Sequence, residues 1–404
     1  MRIAVVGGGA AGFFSAITAK EHYPDATVVI FEKSKKLLAK VKISGGGRCN
    51  ITNGCTSIKE LSDAYPRGGK ALKKAFRIFN TTHAMQWFES RGVPLVIQDD
   101  NCVFPASQSS QSVIDCFLKH AKRLRIKIEV GRGIKAIRRI GDKLKLDFIG
   151  REVPSRIFDK VIAATGGSPK RNGLEWLEQL DHKIEDPVPS LFTFNMPAES
   201  VTELMGVVVE HTLVRIEGTR LKSEGPLLIT HWGMSGPAIL KLSAFGARVL
   251  NEKGYECKAQ VSWAGVHNNN VVMDTLTNIV DEHSNKLLSN VRPYLLPERL
   301  WRHLLEKSDL SAKKKWGELG KKGMYKLVNV LTNDVYSVKG KTSFKEEFVT
   351  CGGVSLESID VETMQSKVCK NLYFAGELMD IDGITGGYNF QAAWTTAFIA
   401  GRLN

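Results

Sequence analysis

The sequence predicts an α/β fold whose parallel sheet draws strands from both ends of the chain, interrupted by an inserted β-rich domain that carries a helical subdomain. Three observations predict it. The chain opens MRIAVVGGGAAGFFSAITAKEHYPDATVVIFEK, a strand, glycine turn, helix and second strand in quick succession. A further apolar strand, FDKVIAAT, ends in Gly166 and Gly167, and near the C-terminus Leu372–Phe374 runs into AGELMDIDG. From about Ser190 the pattern changes to shorter strands.

Arg2–Val6 is a β-branched run, and Phe13–His22 reads as a helix. Between them Gly7, Gly9 and Gly12 form a G-x-G-x-x-G spacing. There the first glycine permits a tight turn, the second lets backbone approach a pyrophosphate, and the third lets helix and strand pack closely. The unpaired N–H groups at the helix start face the phosphates. The second strand, Thr27–Phe31, leads to Glu32, twenty residues past Gly12. A carboxylate there accepts hydrogen bonds from a ribose 2′-hydroxyl, so the segment suits an adenosine dinucleotide without a 2′-phosphate. NAD and FAD share this fingerprint, and the spacing leaves the choice open.

With 404 residues, two or three domains are expected. No run of eighteen apolar residues predicts a membrane span, and the glycines and fingerprint inside the opening stretch argue against a signal sequence, so a cytoplasmic protein is expected. Seven scattered cysteines without a C-x-x-C pair argue for reduced thiols and against a structural metal site. The net charge of +14 is concentrated: Lys286–Lys345 holds fourteen Lys or Arg against five acids, and Lys119–Arg139 holds nine against Glu129 alone. Such clusters, interleaved with Trp301, Trp316 and Tyr325, suit a polyanion, phosphates meeting ammonium groups and bases meeting rings. The bland alternative is a solvated lysine-rich helix face.

Along the chain, KSKKLLAKVKISGGGRCNITNG brings a second glycine cluster too polar for core. Residues 69–92 and 109–125 read as amphipathic helices, Lys127–Ile137 with Lys143–Phe148 as a strand pair, and Ser235-Gly236-Pro237 as a helix start. Short strands are expected around Leu191–Met196, Val207–Ile216 and Glu256–Trp263, helix over Asn268–Leu331 and extended chain over Lys345–Val354. The expected division is 1–189 with 356–404 as the nucleotide-binding domain, 190–267 with 333–355 as the β domain, and 268–332 as a basic helical subdomain.

The opening glycines, ATGG at Ala164–Gly167 and AGE at Ala375–Glu377 put dinucleotide contacts at both chain ends, which resembles the Rossmann-like FAD-binding fold of two-dinucleotide-binding-domain flavoproteins. KISGGGRCNITN (42–53), THWGMSGPAIL (230–240), CGGV (351–354) and AGELMDIDGITGGYNFQAAW (375–394) are similar to the signature segments of the BaiN/RdsA flavoprotein family. Cys351 stands where that family is expected to have a small residue such as Ala, so its thiol receives no catalytic role. The resemblance implies that Gly7, Gly9, Ala10, Ala11 and Gly12 bind the FAD pyrophosphate, Glu32 the adenosine ribose, and that Lys33 borders the adenine. It implies that Ser44, Gly45, Arg48, Cys49 and Asn50 line the ribityl chain and flavin, and that Thr165 and Gly166 pass under the adenosine half. Gly376, Glu377 and Asp382 are expected at the ribityl and pyrophosphate region. It further implies that Gly386, Gly387, Tyr388, Asn389 and Gln391 begin the last helix, whose dipole would favour negative charge on a reduced flavin.

The implied activity is FAD-dependent reduction of a C=C bond conjugated to a carbonyl, known in the family for bile-acid enones and for dihydrouridine in ribosomal RNA. Such chemistry needs a carbonyl polariser and a proton donor. Arg48 is the polariser candidate, with a structural pairing to Glu377 or the pyrophosphate as its alternative. Cys49, whose thiol an adjacent arginine would acidify, His231 before the helix start, and Tyr388 are the donor candidates. Each is also readable as packing or a structural hydrogen bond. The charge favours uridine in ribosomal RNA over a steroid, with Lys313, Lys314, Lys315, Lys321 and Lys322 as the RNA surface. The alternatives are a small-molecule flavoenzyme, either an enone reductase or an amine oxidase, and a non-catalytic FAD-containing RNA-binding factor. No second G-x-G-x-x-G follows a strand, so a separate NAD(P)H domain is not evident, and the resemblance alone implies NADH or NADPH as a transient reductant.

Overall fold

The computed structural model describes residues 1–150, 153–342 and 349–404. The chain divides into two units, 1–190 with 345–404, and 191–344.

The first unit is organised by a seven-stranded sheet in the order Ile359–Asp360, Gln365–Ser366, Leu372–Phe374, Lys160–Ala163, β1 (Arg2–Val6), β2 (Thr27–Glu32), Lys127–Val130. From Leu372–Phe374 onward all pairings are parallel. These strands read as near-continuous apolar runs because both sheet faces are covered. The helix α1 (Ala10–His22) starts three residues earlier than its apolar stripe suggests, because Gly9 already serves as N-cap. It is buried nearly all round, and its crossing with the C-terminal helix Tyr388–Arg402 is close enough that a Cβ on Gly401 would stand 2.7 Å from Thr18 Cβ.

Several expected elements are divided. The helix expected over 69–92 is two, Gly69–Ala75 and Thr81–Glu89, because Asn80 caps the second reciprocally: its side chain accepts from the His83 N–H at 3.2 Å, and His83 Nδ1 accepts from the Asn80 N–H at 3.1 Å. The expected strand Lys127–Ile137 breaks at Gly131, which has φ +68°. Lys127–Val130 joins β2, whereas Ile134–Ile140 pairs with Lys143–Phe148.

The second unit is an antiparallel seven-stranded sheet in the order Asp334–Lys339, Glu256–Ser262, Val208–Ile216, Lys222–Thr230, Gly233–Ser235, Thr193–Asn195, Lys341–Thr342. The helix Pro237–Glu252 has its proline at the first turn, as expected. The span expected to be helical, Asn268–Leu331, is three helices with intervening turns: Asn269–His283, Glu298–Lys307 and Gly320–Thr332. These helices share one apolar cluster with the sheet, through Trp263, Trp301, Leu304, Trp316 and Val338, so they are not a separate compact unit. The boundary expected at residue 355 also shifts. Thr350–Val354 pairs with Ile184–Pro189 inside the first unit, at so close a range that a Cβ on Gly352 would lie 2.4 Å from Asp186 O. The expected extension over Lys345–Val354 begins, up to residue 348, outside the described residues.

Candidate active site

The site is built at the carboxyl ends of the parallel strands, where three segments converge. In the first, the three opening glycines have different surroundings. A Cβ on Gly7, at φ +116°, would lie 2.2 Å from Ala164 O, and one on Gly12 would lie 1.9 Å from Gly7 O. Both are demanded by close backbone packing. Gly9 has nothing within 4 Å of the same point, so its surface is open to a ligand. Glu32, at the end of β2, accepts the Gly8 N–H at 2.7 Å on one oxygen and the Ser34 N–H at 2.8 Å on the other. Beside them a cavity of about 410 Å3 is lined by Gly7, Glu32, Lys33, Thr165, Gly166 and Trp176, among others. That volume lies within the range of small-ligand sites.

The second segment is Ser44–Asn50. Gly45, Gly46 and Gly47 all have positive φ, and Cβ atoms on Gly46 and Gly47 would meet nothing within 4 Å. Arg48 does not pair with Glu377. Its guanidinium lies over the Phe104 ring at 4.1 Å and donates to Gly45 O and Gln108 Oε1 at 3.3 Å each. Cys49 is fully buried, and burial pushes its thiol up to about 12, the reverse of an arginine-acidified thiol. Its side chain is packed into the core of the first unit, and its N–H donates to Ser44 O at 2.9 Å.

The third segment is Ala375–Gln391. Glu377 accepts from the Thr350 N–H at 2.9 Å and from Lys40 Nζ at 2.7 Å. Gly376, at φ +74°, lies against Ala11, and its N–H donates to Thr396 Oγ1 at 2.9 Å. Gly387 caps the C-terminal helix, and a Cβ there would lie 2.3 Å from Thr52 O. Asn53 donates to Gly386 O at 3.0 Å, and Asn50 accepts the Val103 N–H at 3.3 Å. Tyr388, the first residue of that helix, is half-buried, and burial pushes its phenol up to about 12.

Three residues expected to meet the ligand hold the protein instead. Asp382 is fully buried; Arg67 and Ser190 donate to its carboxylate. Gln391 is fully buried, accepting from Thr52 Oγ1 at 2.6 Å and donating to Thr395 Oγ1 at 3.0 Å. Asn389 uses both ends of its amide on the Gly383 backbone at 2.9 Å. His231 belongs to the second unit. It sits exposed on the turn between Lys222–Thr230 and Gly233–Ser235, well ahead of the helix, stacked edge-on to Trp232 at 4.0 Å.

Sequence reasoning missed Lys40, Arg67, Phe104, Gln108 and Thr350. Of these Thr350 carries an unsatisfied group next to Gly167, which lines the cavity beside Glu32. Its hydroxyl is buried without a hydrogen-bond partner among the described residues, 2.4 Å from where a Gly167 Cβ would stand. A buried hydroxyl so placed calls for an acceptor. With the open Gly9 surface, the Glu32 carboxylate and the adjoining cavity, the residues present fit an FAD. No group of three or more His, Cys, Asp or Glu suited to a metal ion occurs among the described residues.

The basic segments also resolve. Trp301 and Trp316 are fully buried and stack on each other at 6.2 Å, so neither ring is available to a base. Tyr325 is 66 % exposed. In the run Lys119–Arg139, Arg132, Arg138 and Arg139 are ion-paired with Glu129, Asp147 and Asp181. By contrast, Lys313, Lys314, Lys315, Lys321 and Lys322 form no ion pair with a described residue. No helix among the described residues is long and apolar enough to cross a membrane.

The 3-dehydro-bile acid Δ4,6-reductase of Clostridium scindens is 26 % identical over 409 residues, covering 99 % of this chain and 98 % of that protein. The ribosomal RNA dihydrouridine synthase of Escherichia coli is 27 % identical over 412 residues, covering 98 % and 95 %. Among solved structures, the 3-ketosteroid Δ1-dehydrogenase of Sterolibacterium denitrificans matches 99 % of this chain and 98 % of its own at a TM-score of 0.52, with 10 % identity, a likeness of fold alone. The model described as the HI0933-like protein Rossmann domain matches residues 1–403, and the chain therefore belongs to this HI0933-like family of flavoprotein oxidoreductases.

Proposed function

We propose that this flavoprotein reduces the C=C bond of an α,β-unsaturated carbonyl, with uridine in ribosomal RNA as the substrate and dihydrouridine as the product. The observation that carries the choice of substrate is the set of unpaired lysines, Lys313–Lys315 with Lys321 and Lys322, since phosphate contacts dominate nucleic-acid affinity and a steroid needs none. The relatives named ribosomal RNA dihydrouridine synthase support the same reading.

Gly7, Gly9, Ala10, Ala11 and Gly12 would hold the pyrophosphate, Glu32 the ribose, Lys33, Thr165 and Gly166 the adenosine half, and Ser44, Gly45 and Asn50 the flavin end. When bound, the flavin supplies the hydride that saturates the β carbon. Arg48, always charged and oriented by Gln108 and the Phe104 ring, draws electron density onto the substrate carbonyl oxygen. Tyr388 keeps its proton at neutral pH and is the proposed donor to the α carbon. The positive end of the Tyr388–Arg402 helix would favour negative charge on a group held there. NADH or NADPH is the proposed reductant, checked by bleaching of the flavin absorbance under anaerobic conditions.

The test is mass-spectrometric nucleoside analysis of ribosomal RNA from cells with and without the gene. Loss of dihydrouridine, restored by the wild type and not by Gly9→Asp, supports the reading; unchanged dihydrouridine overturns it. A small enone is the second reading, favoured by the nearly full-length match to the bile-acid reductase, and predicts NAD(P)H-dependent enone turnover without RNA.

A further inference from the structure

We infer that the exposed face of the helix Gly320–Thr332 is a docking strip for unpaired RNA, on which Tyr325 stacks a base while Lys321 and Lys322 hold neighbouring phosphates. The inference rests on the RNA reading above and adds to it which face is used and which form of RNA it takes. Helical spacing sets the strip. Lys321, Lys322, Tyr325 and Asn329 are exposed, whereas Gly323, Leu327, Val328 and Leu331 are buried. Of the other large rings of this region, Trp301, Trp316 and Tyr336 are at most 1 % exposed and Tyr294 packs half-buried against the same cluster, so their place in the core is clear. Tyr325 at 66 % contributes little to it.

The charges point the same way. Lys326, next to Tyr325, is occupied by Ser308 O at 2.9 Å and Asp309 Oδ2 at 3.2 Å. Lys321 and Lys322, one turn before the ring, have no such partner among the described residues, so their charge is unspent. The three lysines ahead of them are presented by a braced strap. Leu288 N–H bonds Lys314 O at 2.8 Å, Ser289 N–H bonds Ala312 O at 3.1 Å, and Trp316 N–H bonds Lys286 O at 3.0 Å. An exposed ring flanked by ammonium groups matches a strand whose bases are unstacked, because phosphates and a base face are then offered together. A duplex hides its base faces and leaves the ring idle. An acidic protein surface would engage the lysines and leave the ring equally idle. Asn329, one turn beyond Tyr325, offers an amide to a base edge.

The test uses the flavin-loaded full chain, with fluorescence anisotropy against a labelled oligouridylate of about twelve nucleotides, a duplex RNA of equal length, and polyglutamate as competitor. Expected are tighter binding of the single strand and a loss of about 5- to 150-fold for Tyr325→Ala, with near-wild-type affinity for Tyr325→Phe. The salt slope should stay unchanged in Tyr325→Ala and fall by about 1.4 when Lys321 and Lys322 are both changed to Gln. Thermal melting establishes that each variant is folded. Affinity unaffected by Tyr325→Ala, a preference for duplex, or displacement by polyglutamate as effective as by RNA overturns the inference. If the strip behaves as expected while cellular dihydrouridine is unchanged, the substrate reading fails and the strip stands.

Discussion

Arg67 and Asp382, 315 residues apart in the chain, close on each other in the interior of the first unit: Arg67 Nε donates to Asp382 Oδ1 at 2.5 Å, a second guanidinium nitrogen donates to Oδ2, and the Ser190 hydroxyl donates to that same oxygen. Asp382 begins the loop that leads into the C-terminal helix, and Ser190 is the last residue of the first unit before the chain enters the second. One buried carboxylate thus fixes both.

Breaking this pair by Arg67→Met should cost about 3–5 kcal/mol in denaturant unfolding, because a buried carboxylate loses its partner. Burial already pushes Asp382 up, against the pull of Arg67. Without Arg67 its folded-state value rises further above the unfolded one. A raised carboxylate destabilises the fold as pH climbs through that window, so the deficit should be smaller at pH 5 than at pH 7.5. A pH-independent deficit would show that the carboxylate is not the stranded group.

The three opening glycines should separate folding from cofactor retention. Gly12→Ala places a methyl 1.9 Å from Gly7 O and should lower stability by about 1–3 kcal/mol. Gly9→Ala meets no protein atom within 4 Å and should melt within about 0.5 kcal/mol of wild type, yet lose flavin on gel filtration. Equal behaviour of the two variants in both assays would contradict this division.

Cys49 should be chemically silent. With its thiol near 12, about one molecule in ten thousand is ionised at pH 8. Iodoacetamide treatment of the native protein followed by peptide mass spectrometry should leave Cys49 unmodified while the half-exposed Cys55 reacts. Cys49→Ala should keep enone or uridine turnover within about threefold, as a packing residue would.

Arg48→Met should lower kcat by about 100- to 1000-fold if the guanidinium polarises the substrate carbonyl, and Arg48→Lys should restore less than a tenth of it. A change in KM alone would assign Arg48 to binding.

What was legible in the sequence follows from how local each signal is. The β1–α1–β2 segment is written in a glycine spacing over a few residues, and Gly7 and Gly12 have the close backbone packing that spacing implies. The division of the 69–92 helix at Asn80 is equally local, a capping residue ahead of an apolar run, yet the apolar periodicity reads straight across it as one helix. Asp382 and Gln391 were misplaced because their partners, Arg67 and Thr52, lie more than three hundred residues away and nothing near either carboxylate or amide reveals them. Trp301 was readable in retrospect: Leu300, Trp301, Leu304 and Leu305 form an apolar stripe at helical spacing, which puts the ring inside despite the lysines around it. Thr350 carries no sequence signal, since only the fold brings its hydroxyl beside Gly167.

The central sheet joins strands from residues 2–6, 160–163 and 372–374, and α1 packs on the C-terminal helix. The order of synthesis therefore matters. The second unit is complete at residue 344, sixty residues before Asn404 is added. At roughly 5–20 residues per second, that is about 3–12 seconds in which the inserted unit can fold while the flanking one lacks its last parallel strand and the helix that covers α1. In the nascent chain the inserted unit is thus the first able to close, and the half that begins at the N-terminus is the last.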